Sequence, residues 1–317
     1  MKKILISPYF GKLPNYFQIF LDSCGLNEDF CDFLIITDDK TLFNVPKNVK
    51  MVLMTFEAFN SLTKQKLGDE FGISSPYKIC DYRPAFGKIF DKYIDGYDFW
   101  GHVDTDMVLG KLSNFLFEET FEKYDRILER GALMFYRNMD DINELFRQNV
   151  GGVINFNEAV AMHEPCFYDE IMFPVLLLKA GYTTYSNPSY ADVLPQYYKF
   201  TIDEHCSIQN VPNQYFVYTS GVGLFRGVNG VDDDTECMYV HIQKRPMHVR
   251  ISEKGIIPSK LYIQENYFDV EHRSTHVSAL QDLRWRLNYM RRQLKKLDWS
   301  HIKIHLKTRT IRKDLEW

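Results

Sequence analysis

The alternation of apolar and polar stretches along the chain predicts strands and helices in turn. Apolar, β-branched runs at residues 3–7, 32–38 and 49–55 are typical of strands, and a helical spacing of apolar positions at 15–24 separates the first two. Because these runs are apolar almost throughout, they predict parallel strands that are covered on both faces. Ligands of such sheets bind beyond the carboxyl ends of the strands, which directs attention to the residues there.

Later parts of the chain extend this pattern into an α/β fold, with a mixed, mainly parallel sheet flanked by helices. Further strands are expected at residues 97–103, 130–137, 152–156, 216–219 and 238–242. Further helices are expected at residues 85–93, 171–180 and 277–297. We predict one body over residues 1–272, with halves at about 1–110 and 111–272, followed by a helical tail at 273–317.

Charge is spread unevenly between this body and the tail. The chain has 317 residues and a net charge of −4, and its 45% hydrophobic and 25% charged residues are those of an ordinary globular protein. Residues 273–317 carry a net charge of +8, whereas residues 1–272 carry −12. Because an acidic body opposes a phosphate backbone and no binding motif for nucleic acid is recognisable, we expect no nucleic-acid partner.

The tail combines this positive charge with a helical spacing of leucines, and two hypotheses explain it. The helix packs on the acidic body, or it lies on an anionic membrane surface. No run of eighteen apolar residues exists, so no membrane-spanning helix is expected. The first apolar run is also too short for a signal peptide, which predicts a cytoplasmic protein, peripheral to the inner face of the cell membrane under the second hypothesis.

Two Asp-x-Asp triplets are candidate cation sites, because paired carboxylates can share a hard divalent ion. The chain contains 25 aspartates, so such triplets also arise by chance. Asp104-Thr105-Asp106 ends the apolar run at 97–103, which would hold both carboxylates at the rim of a sheet. Residues 232–234 are three aspartates after a glycine-containing segment and are interpreted as a solvated turn. We therefore expect the metal site at the first triplet.

The surroundings of the first triplet resemble bacterial glycosyltransferases of the GT-A fold, above all those of capsule and exopolysaccharide biosynthesis. The likeness is carried by residues 77–85 (YKICDYRPA), 97–106 (YDFWGHVDTD) and 239–246 (YVHIQKRP). It implies a GT-A-like, Rossmann-like fold for residues 1–272, with a nucleotide-binding first half and an acceptor-binding second half. It also implies Mn²⁺ or Mg²⁺ as cofactor and transfer of a hexose from a nucleotide-diphosphate sugar. A UDP-sugar is the expected donor, and a saccharide or lipid-linked saccharide is the expected acceptor.

The resemblance assigns roles to individual residues. In the family's pattern the strand-end aspartates and a late histidine hold the metal, which places these roles on Asp104, Asp106 and His241. A nearby lysine that grips the diphosphate corresponds to Lys244. The family's other donor-binding positions fall on Pro8, Tyr9, Phe10, Asp38, Lys78, Asp81 and Arg83. The alternatives are a turn cap for Asp38, a structural ion pair for Arg83 and an ordinary core histidine for His241.

The acceptor side is less defined by the sequence. Asp169 and Glu170 precede an apolar helix, where the resemblance implies a carboxylate that deprotonates the acceptor hydroxyl or orients a substrate. The alternative is favourable charge at a helix N-terminus, and the choice between the two residues and between inversion and retention stays open. The aromatic segment 187–203, with Tyr190, Tyr197 and Tyr198, is a candidate acceptor platform or ordinary packing.

Two other functions remain open at this stage. A sugar nucleotidylyltransferase also uses a nucleotide-binding α/β sheet and a metal, but residues 8–11 lack the glycine-rich, basic loop expected after its first strand. A catalytically inactive sugar- or nucleotide-binding protein of the same fold is the other alternative.

Overall fold

The computed structural model describes residues 1–129, 132–149, 154–251, 258–273 and 278–294. The strands are β1 (Lys3–Tyr9), β2 (Asp32–Thr37), β3 (Val49–Leu53), β4 (Phe99–Val103), β5 (Met107–Leu109), β6 (Arg126–Ile127), β7 (Leu133–Arg137), β8 (Thr184–Tyr185), β9 (Ala191–Asp192), β10 (Gln214–Thr219), β11 (Gly223–Val228), β12 (Val231–Glu236), β13 (Tyr239–His241), β14 (His248–Arg250), β15 (Lys260–Gln264) and β16 (Tyr267–Asp269). The α-helices are α1 (Phe17–Gly25), α2 (Phe56–Leu67), α3 (Phe86–Ile89), α4 (Asp91–Ile94), α5 (Glu118–Lys123), α6 (Asp140–Asn143), α7 (Phe156–Ala161), α8 (Phe173–Lys179) and α9 (Ala279–Leu294). Tighter 3₁₀ segments lie at Pro76–Ala85, Leu112–Asn114 and Leu145–Arg147, and one π turn lies at Tyr168–Met172.

The largest sheet has the strand order β3-β2-β1-β4-β7-β6-β8 and is flanked by helices. Strands β3, β2, β1 and β4 are parallel, which confirms the prediction from their apolar runs, and β7 pairs antiparallel with β4. The sheet is therefore mixed, with a parallel half. Because the parallel strands share a direction, the carboxyl ends of β1, β2 and β4 lie at one edge.

The main core lies where helices cover the parallel half. Helix α1 buries Phe17, Phe20 and Leu21 there, on the face that the sequence pattern predicts. Helix α2 was not evident from the sequence pattern. It buries only three side chains on an otherwise polar surface, and its start depends on Thr55, whose hydroxyl oxygen accepts a hydrogen bond from the Ala58 amide.

A small sheet, β5-β13-β9, links the Asp-x-Asp segment to the late part of the chain. Strand β13 pairs antiparallel with β5, opposing His241 to Met107, and parallel with β9, opposing His241 to Asp192. Gly110 permits the close approach, because a Cβ at this position would lie 2.2 Å from the Cys237 carbonyl oxygen. Residues that are distant in sequence thus meet at the edge of the large sheet.

The third sheet, β12-β11-β10-β15-β16-β14, is antiparallel apart from the β14–β16 pair. It corrects the turn predicted at residues 232–234, which lie in the edge strand β12. The strand escaped prediction because its side chains are almost all polar and exposed or half-buried. Asp233 accepts a hydrogen bond from Arg226 Nε at 2.9 Å, so one of these aspartates is already engaged in an ion pair.

Several predicted elements have different boundaries or a different form. The described part of the strand expected at 152–156 is the start of α7, which Asn155 and Glu158 initiate with a reciprocal capping box; residues 152 and 153 lie outside the described residues. The helix expected at 85–93 is divided into α3 and α4, and that expected at 171–180 begins as a π turn before α8. Strand β7 confirms the described end of the strand expected at 130–137, of which residues 130 and 131 are not described.

Helix α9 confirms the helix expected in the tail, within the described residues. Residues 277 and 295–297 of the expected helix, and the chain from there to 317, lie outside them. Trp285 anchors α9 on the body, since its indole N–H donates to the Pro195 carbonyl at 3.0 Å and its ring meets that of Tyr198 edge-on. Over the described part of the chain, none of the helices combines the length and the apolar character needed to cross a membrane.

Candidate metal and donor site

Asp104, Asp106 and His241 converge at the carboxyl edge of the parallel strands. The two aspartates stand between β4 and β5, and the β5–β13 register brings His241 beside them. His241 Nε2 lies 3.4 Å from Asp106 Oδ1 and 4.0 Å from Asp104 Oδ2. One potential ligand atom from each of the three residues lies within 4.8 Å of the others, a spacing that one metal ion can bridge. The expected metal ligands are therefore together.

The ligand atoms that Asp104, Asp106 and His241 offer suit one of the two expected cations in particular. Carboxylate oxygens suit both Mg²⁺ and Mn²⁺, whereas an imidazole ligand favours a transition metal. Two carboxylates and a histidine therefore fit Mn²⁺ better than Mg²⁺. These three groups leave coordination positions for further ligands, because octahedral ions take six.

Asp192 holds the histidine from the opposite side of its ring. Its Oδ1 lies 3.0 Å from His241 Nδ1 and accepts a 2.6 Å hydrogen bond from Gln243 Nε2. A carboxylate on Nδ1 presents the Nε2 atom of the same ring toward Asp106, the arrangement that commonly orients metal-binding histidines. Sequence reasoning missed Asp192, because a lone aspartate in a two-residue strand carries no motif; only the β9–β13 pairing reveals it.

The chain turns sharply after His241 and returns to the aspartates. Gln243 and Lys244 both adopt left-handed backbone conformations, with φ of 50° and 54°. This turn directs the Lys244 amide at Asp106 Oδ2, 2.6 Å away. The Lys244 side chain is exposed, and its ammonium lies 4.3 Å from the centre of the Tyr77 ring. A positive charge thus stands beside the candidate metal ligands, where the sequence analysis expected it.

Arg83 forms ion pairs with two carboxylates of the site. Its guanidinium donates to Asp104 and, at 2.9 Å, to Asp169 Oδ2. Asp169 is buried, so the structural ion pair that the sequence left open for Arg83 is present. A donor contact by Arg83 stays a prediction, since 15% of its side chain is exposed.

The protonation preferences of this cluster follow from crowding of like and unlike charges. Burial and the neighbouring Asp106 raise the pKa of Asp104 against the opposing effects of Arg83 and His241. Burial also acts on Asp106, but the charge and hydrogen bond of His241 and the Lys244 amide lower its pKa to about 2. For His241, burial is outweighed by Asp106 and Asp192, which hold its pKa well above the ordinary value. The neighbouring charges and burial thus shift the pKa values of the two aspartates in opposite directions.

The ends of β1 and β2 form the neighbouring wall. Pro8, Tyr9 and Phe10 are half-buried, and Tyr9 is near enough to Asp106 and Asp39 that these charges, after burial, raise the pKa of its phenol. Phe10 packs instead on the rings of two α2 phenylalanines at 5.5 and 5.3 Å. Asp38 accepts the Gly11 amide at 2.7 Å, so it has the turn-holding role that the sequence left open. Nucleotide contacts by these residues stay predictions.

Lys78 and Asp81 have a different place from the one expected. Both side chains are fully buried and pair at 2.8 Å. Lys78 also donates to the carbonyls of Ala159 and Glu164, both at 2.8 Å. Asp81 accepts the Tyr168 amide at 3.0 Å. Because every one of these contacts braces the protein interior and neither side chain reaches solvent, we assign the pair a structural role in place of donor binding.

Glu170 and Asp169 differ although they are adjacent. Asp169 is 1% exposed, and its Oδ1 has no hydrogen-bond partner among the described residues. Glu170 is exposed. Surrounding protein groups partly desolvate its carboxylate and so raise its pKa. The charges of Asp104 and Asp192 act in the same direction, and the charge of Arg83 opposes them. Of the two candidates, Glu170 is therefore the carboxylate that a substrate can reach.

The aromatic segment expected as an acceptor platform is largely engaged in packing. Tyr190 is 6% exposed and stacks on Tyr239 with ring centres 4.6 Å apart. Tyr197 and Tyr198 contact α9. Tyr77 begins the segment 77–85, but the sequence analysis gives it no role. Its ring is 53% exposed, and burial, Cys80, Asp104 and Glu170 raise its pKa to about 12. Tyr77 is thus the exposed aromatic surface that adjoins the site.

Comparison with known proteins places this geometry in a family without an assigned activity. The chain belongs to a family of unknown function (DUF6625), whose model matches residues 5–272. That span contains every candidate site residue described above and ends before α9. No curated protein matches the chain.

Proposed function

We propose that this protein is a metal-dependent glycosyltransferase of the GT-A type, which moves a hexose from a nucleotide-diphosphate sugar to a saccharide acceptor. The observation that carries the proposal is the meeting of Asp104, Asp106 and His241 at the carboxyl edge of parallel strands. Two of these groups come from a strand-end Asp-x-Asp and the third from a distant strand. A UDP-sugar is the proposed donor, and a lipid-linked saccharide is the proposed acceptor.

Each residue then has a distinct part in the proposed reaction. A cation held by Asp104, Asp106 and His241 would neutralise the donor diphosphate and stabilise the departing nucleotide. Lys244 adds a positive charge to the same region. Arg83 fixes Asp104 in place through its bridge to the buried Asp169. Glu170, which is accessible and has a raised pKa, is the proposed group that contacts the acceptor or the transferred sugar.

The first experiment is calorimetric titration of the protein with UDP, with and without Mn²⁺. We expect binding that requires Mn²⁺ and that Asp106→Asn weakens by about tenfold or more, since the loss of one charged ligand position has an effect of that order. The matched control is Asp234→Asn. It makes the same change in the other aspartate triplet, at an exposed position on β12.

The outcomes separate the competing functions. UDP binding without Mn²⁺, or equal weakening in both variants, would contradict the metal site. If UDP binds only with the metal but no UDP-sugar is hydrolysed, even slowly, the result would favour the inactive binding protein. Release of pyrophosphate from UTP and a sugar phosphate would identify a nucleotidylyltransferase.

A further inference from the structure

Helix α9 is attached to the body through Asp282 and Trp285. Asp282 accepts the Tyr198 amide at 3.2 Å, and Trp285 donates to the Pro195 carbonyl. Both residues lie on the helix face opposite the leucines. A helix on a globular body ordinarily turns its apolar stripe toward the core. Here the leucines point away from the body instead. Of the two hypotheses for the tail, packing on the body therefore applies only to the helix face that carries Asp282 and Trp285.

The outward face of α9 is a continuous apolar stripe, which we name the leucine stripe. Its side chains are between 40% and 65% exposed: Leu280, Leu283, Leu287, Met290 and Leu294. Such a surface is stable when something else covers it.

We propose that the leucine stripe binds an anionic lipid surface. Arginines flank the stripe on both sides: Arg284 and Arg291 are exposed along one side, and Arg286 along the other is exposed but also pairs with Asp282 at 2.8 Å and lies over the Tyr197 ring. This is the composition of helices that lie in a membrane interface, with apolar side chains inserted and basic side chains at the level of the headgroups. Each basic group near such a surface adds attraction to anionic lipids.

A second copy of the chain is the obvious competitor, because the stripe repeats every three and four residues as in a coiled coil. In a coiled coil, the positions that flank the apolar seam of one helix lie opposite flanking positions of the partner helix. Here those positions hold Arg284, Arg286 and Arg291, so pairing of two copies would oppose arginine to arginine. Like charges at these positions disfavour the pair, whereas lipid phosphates complement them.

The charge of the whole molecule gives this contact a direction. The body, residues 1–272, carries −12 and is repelled by an anionic surface, whereas residues 273–317 carry +8. Attraction to an anionic membrane is therefore concentrated at residues 273–317. Within the described part of these residues, α9 is the element that faces the membrane. The inference concerns lipid binding alone and does not depend on the proposed transferase activity.

The helix is also joined to the candidate site. Arg245 follows Lys244 in the chain and is 3% exposed. Its guanidinium donates to the carbonyls of Tyr198 and Glu265 and lies 5.1 Å from the Trp285 ring centre. Lipid contact thus takes place on a helix that rests on the same loop as the site, as suits an enzyme with a lipid-linked acceptor.

The test is co-sedimentation of the full chain with vesicles of phosphatidylcholine alone or with about one third phosphatidylglycerol, at about 0.1 M salt. We expect binding to the anionic vesicles only. Leu283→Glu with Leu287→Glu should reduce this binding by about tenfold or more, because charged groups replace two inserted side chains. The matched control is Leu42→Glu with Leu53→Glu, which adds the same charge at leucines that are 97% and 62% exposed elsewhere, and it should bind normally.

A second variant keeps the stripe intact and removes flanking charge, Arg284→Gln with Arg291→Gln. It should bind the anionic vesicles more weakly and with less dependence on salt. Circular dichroism establishes that each variant is folded. Three results would overturn the inference: no binding of the unaltered protein to anionic vesicles, equal loss in the control, or a dimer in sedimentation velocity that the stripe variant converts to monomer.

Discussion

Single side chains in this protein obtain their roles from what surrounds them more than from their type. Lys78 and Lys244 were both expected to bind the donor, yet one is sealed in an ion pair and the other lies exposed beside Asp106. Asp192, which has no motif, contacts His241. The chemistry of the site therefore depends on partners that only the folded chain supplies.

The contact between Asp192 and His241 makes a prediction at this scale. Asp192→Asn should weaken Mn²⁺ binding by about tenfold to a hundredfold, because the carboxylate orients the imidazole and raises its basicity. Mn²⁺ titration followed by electron paramagnetic resonance measures the affinity. The fold should stay intact, and Asp203→Asn in the following loop is the control. Unchanged Mn²⁺ affinity would mean that Asp192 has no positioning role.

The buried pair of Lys78 and Asp81 makes a second prediction, which separates its structural role from donor binding. Lys78→Met leaves the Asp81 carboxylate buried without its cation, so the free energy of unfolding should fall by about 3–5 kcal/mol. Lys88→Met removes the cation of a half-exposed pair with Glu144 and should change it by about 1 kcal/mol or less. Urea unfolding measures both. A stable Lys78→Met protein that fails to bind UDP would restore the donor role.

At the scale of elements, the first half of the fold could be predicted because β1, β2 and β4 are buried over most of their length. Runs such as β1 and β2 are apolar almost throughout, and their order and direction follow the rules for parallel sheets. The same reasoning failed for β12, whose side chains face solvent. It also could not find β5 and β9, which are three and two residues long and pair with β13, the strand that the sequence did predict at 238–242. Those short strands are the ones that assemble the site.

The candidate metal ligands could be predicted because they follow a recognisable strand and resemble a known pattern. The donor and acceptor residues could be predicted less well. Proximity in sequence to the motif does not reveal that Asp81 accepts backbone amides in the interior, or that Asp169 is buried and Glu170 accessible. A one-residue difference along a π turn changes which side chain meets solvent, and no apolar periodicity records it.

At the scale of the whole molecule, ligand binding to the proposed site should stabilise the entire body. With Mn²⁺ and UDP at about a hundred times their dissociation constants, the gain is about 2.7 kcal/mol. That corresponds to a rise in Tm of about 4 °C for a protein of this size. Scanning fluorimetry measures it, EDTA should reverse it, and Asp106→Asn should not show it. A rise caused by UDP that persists in EDTA would contradict metal-dependent binding.

The candidate site is completed by β13, which is synthesised late in translation. Lys244 and Asp106 are 138 positions apart, so at about 5–20 residues per second roughly 7 to 28 seconds of translation separate them. A nascent chain can form β1 and β4 in that time, but its aspartates then have neither His241 nor the Lys244 amide. A prematurely ended chain that lacks β13 would retain the parallel half and lose the three-residue metal cluster. The proposed metal site can therefore form only after β13 and Lys244 have been synthesised.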